Sequence, residues 1–237
     1  PACLSGCDLV ILALPIPLLL DPPAELLAAI PPAAVVTDVG SVKQPVLAAW
    51  RHRHPRFVAS HPMAGTALAG VEAGTPNLFC GRPWIATPDG DTDPSALATV
   101  KDLAVSLGSH WLTASASQHD QAVALISHMP VLVSAALLRA VGDERDPEIR
   151  QLATALASSG FADTSRVGGG NPDLGVAMAS SNRDAVLRVL AAYRWSLEQL
   201  EDAVLQENWS QLHVELKRTQ ALRPDFLQPL GDINAQN

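Results

Sequence analysis

An α/β half followed by an all-α half is the fold class this sequence predicts, on three observations. Up to residue 116, short apolar runs alternate with helical stretches; from 117 onward strand signals stop; and the later helices carry apolar residues at helical spacing. The predicted domains are therefore 1–116 and 117–237.

The elements follow in order. Residues 8–14 (DLVILAL) form a continuous apolar run ended by Pro15 and Pro17, as a buried parallel strand does. Residues 26–30 read as a short helix stopped by Pro31-Pro32. A second strand covers 34–39, Gly40-Ser41 make a turn, and 42–53 form a helix. A third strand, 57–60, runs into His61-Pro62. Two more strands cover 84–87 and 110–113, with a helix over 94–107 between them that Asp93 caps. Alternation of this kind implies a parallel sheet, whose ligands bind beyond the carboxyl ends of the strands. Those ends carry Pro15-Ile16-Pro17, Gly40-Ser41 and His61-Pro62, which together predict one crevice.

In the second half, 117–141 is one long apolar helix bent near Pro130, and 147–158 is another. Over 184–206, Val186, Leu190, Tyr193, Leu197, Leu200 and Val204 make a stripe suited to packing on another helix. A last helix, Trp209–Leu222, is ended by Pro224. So much apolar helical surface predicts a homodimer formed through this domain. Residues 122–140 approach the length of a membrane span, but Ser127, His128 and Pro130 interrupt them and no aromatic belt flanks them, which favours a helix buried in a dimer.

Composition narrows the function. Apolar residues make up 48% and charged residues 17%, which excludes a disordered tail, and the net charge of −8 argues against gripping nucleic acid or an anionic membrane. An anionic substrate would have to be held by a few placed cations. Three cysteines, Cys3, Cys7 and Cys80, complete neither a disulfide framework nor a zinc site, so no metal is expected, and the reducing cytoplasm is the expected compartment. The N-terminal residues carry no basic leader-like stretch. A chain that opens without Met, almost directly on a strand, is expected to be N-terminally truncated.

Four segments carry candidate chemistry. In Asp38-Val39-Gly40-Ser41-Val42-Lys43, Gly40 permits close backbone approach and Ser41 either caps a helix or binds a hydroxyl. Leu14, Pro15 and Ile16, at the end of the first strand, join Gly40 and Ser41 as candidate cofactor contacts. In Ser60-His61-Pro62-Met63-Ala64-Gly65-Thr66, a histidine at a strand end is either structural or a proton-transfer group facing the crevice. His119 and His128, nine residues apart, are expected on opposite helix faces, each a buried histidine or, for His128 beside Pro130, a ligand contact. Asp163 and Arg166, three apart before a Gly-rich loop, form either a carboxylate clamp or a surface ion pair.

Taken together, D-V-G-S-V-K, S-H-P-M-A-G-T, H-D-Q-A-V-A-L-I-S-H-M-P and S-S-G-F-A-D-T-S-R-V-G-G-G-N-P resemble the motifs of the prephenate/arogenate dehydrogenases of tyrosine biosynthesis, over nearly the whole chain. The resemblance implies a Rossmann-like domain followed by a helical dimerisation domain, and oxidative decarboxylation of a cyclohexadiene with hydride transfer to NADP or NAD. It places the catalytic histidine on His61 and the serine on Ser41. The substrate-binding arginine falls on Arg166, with Asp163 orienting it, and Thr66 and His128 line the same pocket. Two departures stand out. Where many prephenate-using relatives have a second histidine after S-H-[LM]-P, this chain has Val131, as in the arogenate-preferring branch. The family's G-x-G-x-x-G turn is also absent before Asp8. The competing readings are another dehydrogenase of the same plan, or a helical dimerisation module with a degenerate nucleotide domain.

Overall fold

A computed structural model describes residues 2–65 and 74–227; Thr66 lies outside the described residues. The chain divides into two compact units, Pro1–Val186 and Leu187–Asn237.

The first unit opens on three parallel strands, β1 (Leu9–Leu12), β2 (Val35–Asp38) and β3 (Phe57–Val58), with Val10 opposite Val36 and Thr37 opposite Val58. Their apolar runs are continuous because both faces are covered. Val10, Leu12 and Val36 join one cluster with Leu19, Val46, Trp50 and Phe57. Val35 and Val58 join another with Ala96 and Val100 of a helix on the opposite face. Trp50 stacks on Phe57 at 5.1 Å and donates its indole N–H to Leu19 O at 2.8 Å, so its one polar atom is satisfied inside the core.

After Ala59 the chain enters β4 (Ser60–Pro62), which pairs with β5 (Pro83–Ala86); β5 pairs in turn with β6 (His110–Thr113). Here the structure departs from the all-parallel expectation: β4 and β5 are antiparallel, while β5 and β6 are parallel. The described part of the β4–β5 connection contains no crossover helix, and the β5–β6 connection does contain one, α4 in the numbering below.

Five-residue α1 (Ile16–Leu20) was not expected, because Pro15 and Pro17 read as terminators; they sit instead at its first turn, where a missing N–H costs nothing. Helices α2 (Ala24–Ala29), α3 (Gln44–Trp50) and α4 (Pro94–Ser106) follow expectation, and Asp93 caps α4 through Ala96 N. The long apolar segment is α5 (Ala116–Val123), a π turn (Ala124–His128) and α6 (Met129–Gly142). The disturbance falls just before Pro130, as the proline predicts, and takes the form of a widened turn. By length and composition alone, Ala116–Gly142 could cross a membrane, yet His119, Asp120 and His128 on it are buried and hydrogen-bonded inside this unit.

Helices α7 (Pro147–Leu156) and α8 (Ser159–Ser165) lead into a 3-10 turn (Arg166–Gly169), and α9 (Pro172–Ser181), which the sequence reading missed, returns the chain to the sheet. Met178 of α9 and Val131 of α6 pack into the cluster that holds β1 and β2. Gly168 lies so close to α6 that a Cβ there would fall 2.3 Å from Ala135 N and 2.4 Å from Ser134 C. Its N–H donates to Ser134 Oγ, which donates to Thr164 O, both at 2.9 Å.

Helix α10 (Arg183–Leu205) starts in the first unit and continues into the second, which also holds α11 (Trp209–Leu222) with its Asn208 cap. Of the foreseen stripe, Val186 is buried, Leu190, Tyr193 and Leu200 are half-buried, and Leu197 and Val204 are exposed; Trp195, Trp209, Val214 and Leu216 are exposed beside them.

Candidate active site

The site grows from the carboxyl end of β2. Asp38 ends that strand fully buried, and the chain turns through Gly40 to bring Lys43, also fully buried, back onto it. Lys43 Nζ pairs with Asp38 Oδ2 and donates to Ser60 O at 2.6 Å. Gly40 N and Ser60 N donate to the Asp38 carboxylate at 2.9 and 3.1 Å. Burial pushes the Asp38 carboxyl up and the Lys43 ammonium down; their attraction to each other opposes both shifts. Ser60 Oγ is the node of a second set of bonds, with Thr37 Oγ1 at 2.8 Å, Asp38 O at 3.0 Å and Trp84 Nε1 at 3.0 Å. These bonds lock the start of β4 to the end of β2 and so fix the base of His61. A Cβ on Gly40 would lie 2.9 Å from Leu19 Cδ1 and 3.0 Å from Asp38 Oδ2, so packing within the chain itself requires glycine there.

From β4, His61 meets α5. Its Nδ1 lies 2.9 Å from His119 Nε2, and His119 Nδ1 lies 2.7 Å from Asp120 Oδ1. The Asp120 carboxylate also accepts the backbone N–H groups of Lys43 and Gln44, at 2.7 and 2.8 Å, which explains why α3 starts later than residue 42. A carboxylate is acceptor-only, so His119 Nδ1 donates to Asp120; the proton shared by His61 Nδ1 and His119 Nε2 can come from either ring. Burial, together with the nearby Lys43, His119 and His128, holds the His61 pKa well below the usual histidine value. At neutral pH it is an uncharged acceptor.

His128 is tied to the same segment: Asn182 donates to Asp120 O at 2.7 Å and to His128 Nδ1 at 3.2 Å, linking α5 to the π turn. With Nδ1 accepting, neutral His128 has its proton on Nε2. That buried atom has no partner among the described residues, nor does the buried Ser41 Oγ. Burial lowers the pKa of His128 as well.

The remaining expected residues are placed as follows. Leu14 and Pro15 lie between β1 and α1 and Ile16 opens α1, at the same end of the parallel sheet as Gly40 and Ser41. Arg166 and Asp163 are exposed around the α8–turn junction against α6, and no bond joins them among the described residues, so the orienting ion pair is not formed in this chain. Sequence reasoning gave no role to Lys43, Asp120 or Asn182. Lys43 and Asp120 stood inside quoted motifs, but their partner is each other's neighbourhood, 77 residues away.

Residues 2–113 match the family described as prephenate dehydrogenase, nucleotide-binding domain, and residues 115–218 match prephenate dehydrogenase, dimerization domain. The cyclohexadienyl dehydrogenase of Zymomonas mobilis is 31% identical over 222 residues, covering 91% of this chain and 74% of that protein. Among solved structures, Synechocystis arogenate dehydrogenase superposes with a TM-score of 0.78 at 41% identity, over 95% of this chain and 81% of that one. Prephenate dehydrogenase from A. aeolicus, in complex with hydroxyphenyl propionate and NAD+, superposes with a TM-score of 0.85 at 29% identity, over 92% and 76%. Two domain matches in the family's order, on a chain carrying the buried histidine pair described above, place it plainly: this chain belongs to the prephenate dehydrogenase family.

Proposed function

We propose that this protein oxidatively decarboxylates arogenate or prephenate, yielding tyrosine or 4-hydroxyphenylpyruvate, with NADP or NAD as oxidant. The observation that carries the reading is His61: a neutral imidazole on the short strand β4, its Nδ1 held by His119 and its Nε2 unpartnered among the described residues. Such a group takes a proton from a hydroxyl as the carbonyl forms.

The ends of β1 and β2 fit a nicotinamide cofactor. They are parallel, they lie where such sheets bind nucleotides, and the buried Ser41 Oγ has no partner among the described residues. Leu14, Pro15, Ile16, Gly40 and Ser41 would hold it there. When bound, it supplies a hydride acceptor for C4 of the ring, and aromatisation on loss of the ring carboxylate supplies driving force. The chain's own residues bind and orient. Ser41 positions the C4 hydroxyl, His61 accepts its proton, His128 offers an Nε2–H donor to a substrate oxygen, and Arg166 receives a carboxylate.

Val131 favours arogenate over prephenate, and with it NADP, because no histidine stands there to meet a keto-acid side chain. The uncovered apolar helices support a homodimer through residues 117–237, acting in the cytoplasm without nucleic acid or membrane. Absorbance of the reduced nicotinamide, recorded for the full-length protein with each substrate against each of NAD+ and NADP+, tests all of this. Reduction with arogenate is expected; a folded protein that binds cofactor yet reduces it with neither substrate overturns the proposal.

A further inference from the structure

We infer that His119 and Asp120 are positioning residues that set the tautomer of His61, so that its Nε2 is the bare nitrogen available to substrate. The inference rests on the reading of His61 as proton acceptor and adds what makes it one.

A neutral histidine side chain left to itself favours the tautomer protonated on Nε2. That form would be a hydrogen-bond donor at the outer nitrogen and unable to take a proton there. In this protein the choice is made from inside. Asp120 has no proton to give, and its two oxygens already accept from Lys43 N, Gln44 N and His119 Nδ1. His119 is buried and has no freedom to turn its other nitrogen inward without abandoning that carboxylate. In its neutral form its Nε2 therefore accepts, and among the described residues the group offered to it is His61 Nδ1–H at 2.9 Å. When the substrate O–H bond breaks and its proton lands on His61 Nε2, the imidazolium keeps its Nδ1–H on His119, and its charge is opposed by the Asp120 carboxylate beyond. Burial first, and then the positive Lys43 with the two neighbouring imidazoles of His119 and His128, lower the His61 pKa; His119 acts here in its neutral form. Asp120 supplies the opposing charge, and Asp38 is already engaged by Lys43.

The role resembles the buried carboxylate that orients a catalytic histidine in hydrolases, where loss of the right tautomer costs about 10⁴-fold in turnover. Here an extra imidazole stands between the carboxylate and the base, and no nucleophile is involved.

Nitrogen-15 correlation spectra of the full-length protein report the tautomer of each histidine without any turnover. Wild type is expected to show His61 protonated on Nδ1 at neutral pH. His119→Phe keeps a ring but removes the acceptor. It should move His61 to the Nε2-protonated form and lower kcat about 100-fold, with substrate KM nearly unchanged. His119→Gln, which keeps an acceptor oxygen, should restore most of the turnover. A wild-type His61 protonated on Nε2 overturns the inference, as does an unchanged kcat in either variant that has lost the Nδ1 proton. Should His119→Phe fail to fold, the wild-type spectrum and His119→Gln still decide. Should the wild-type protein turn over neither substrate, the spectrum still judges the tautomer, and the proposed activity alone falls.

Discussion

Replacing Gly168 with alanine tests how the Arg166–Gly169 turn is held against α6. The added Cβ would sit 2.3 Å from Ala135 N and 2.4 Å from Ser134 C, both main-chain atoms of a helix. Ordinary carbon contacts need roughly 3.5–4.0 Å, so the turn must withdraw by more than an ångström. No side chain can give way in its place. Withdrawal strains or breaks the Gly168 N–Ser134 Oγ bond and the Ser134 Oγ–Thr164 O bond behind it. Overpacking costs about 1–3 kcal/mol and each lost hydrogen bond about 1 kcal/mol, giving about 2–5 kcal/mol together. For a chain of this size that lowers Tm by about 5–15 °C. Calorimetry of Gly168→Ala beside Gly169→Ala makes the comparison internal, because a Cβ at Gly169 meets nothing within 4 Å. The reasoning predicts a large drop for the first and almost none for the second. Equal melting temperatures would refute it.

Other outcomes follow from the site. His61→Asn should lower turnover by about 10²–10⁴-fold while the protein still binds cofactor in a titration. Arg166→Gln should raise the substrate KM by about 10–100-fold, the loss of a charge-assisted bond, and leave the cofactor dissociation constant nearly unchanged; an unaltered KM removes Arg166 from the substrate's reach. Because His61 has its pKa lowered by burial, the acid limb of kcat/KM should lie below the ordinary histidine value of about 6.5. The same shift acts on stability: the unfolded state takes up the proton first, so stability is full above the unfolded pKa and falls as pH drops toward the lowered folded value. Chemical denaturation across that range checks the sign.

Local chemistry made much of the fold legible. The strand at His110–Thr113 and the helix Trp209–Leu222 fall where the pattern put them, because each is a short period bounded by its own stop and start signals. Asp93 could be named as a cap from the residue type and the Pro94 that follows. Helix α1 was missed because proline marks a helix start as well as a stop, and the sequence alone does not say which. The antiparallel step between β4 and β5 depends on how a long connection returns, which no local pattern records. In the site, His61 and Ser41 stood out by their turns. The His61–His119 bond did not, since it spans 58 positions and needs the π turn and the Asp120 anchor to be seen together. Asp163 and Arg166 look like a pair on spacing, yet their bond is not formed, because spacing fixes proximity and not the direction of a long exposed side chain.

One consequence of the Asp120 carboxylate reaches beyond hydrogen bonding. It grips the first turn of α3 through two main-chain N–H groups, and through its neighbour it sets the proton on His61. Seating α5 against α3 and arming the base are thus a single event. A motion that lifts α5 even slightly would unclamp Lys43 and Gln44 and at the same moment release His61 to its idle tautomer. One carboxylate thus serves both the seating of α5 on α3 and the imidazole next to His61, so a substitution at Asp120 would disturb both together.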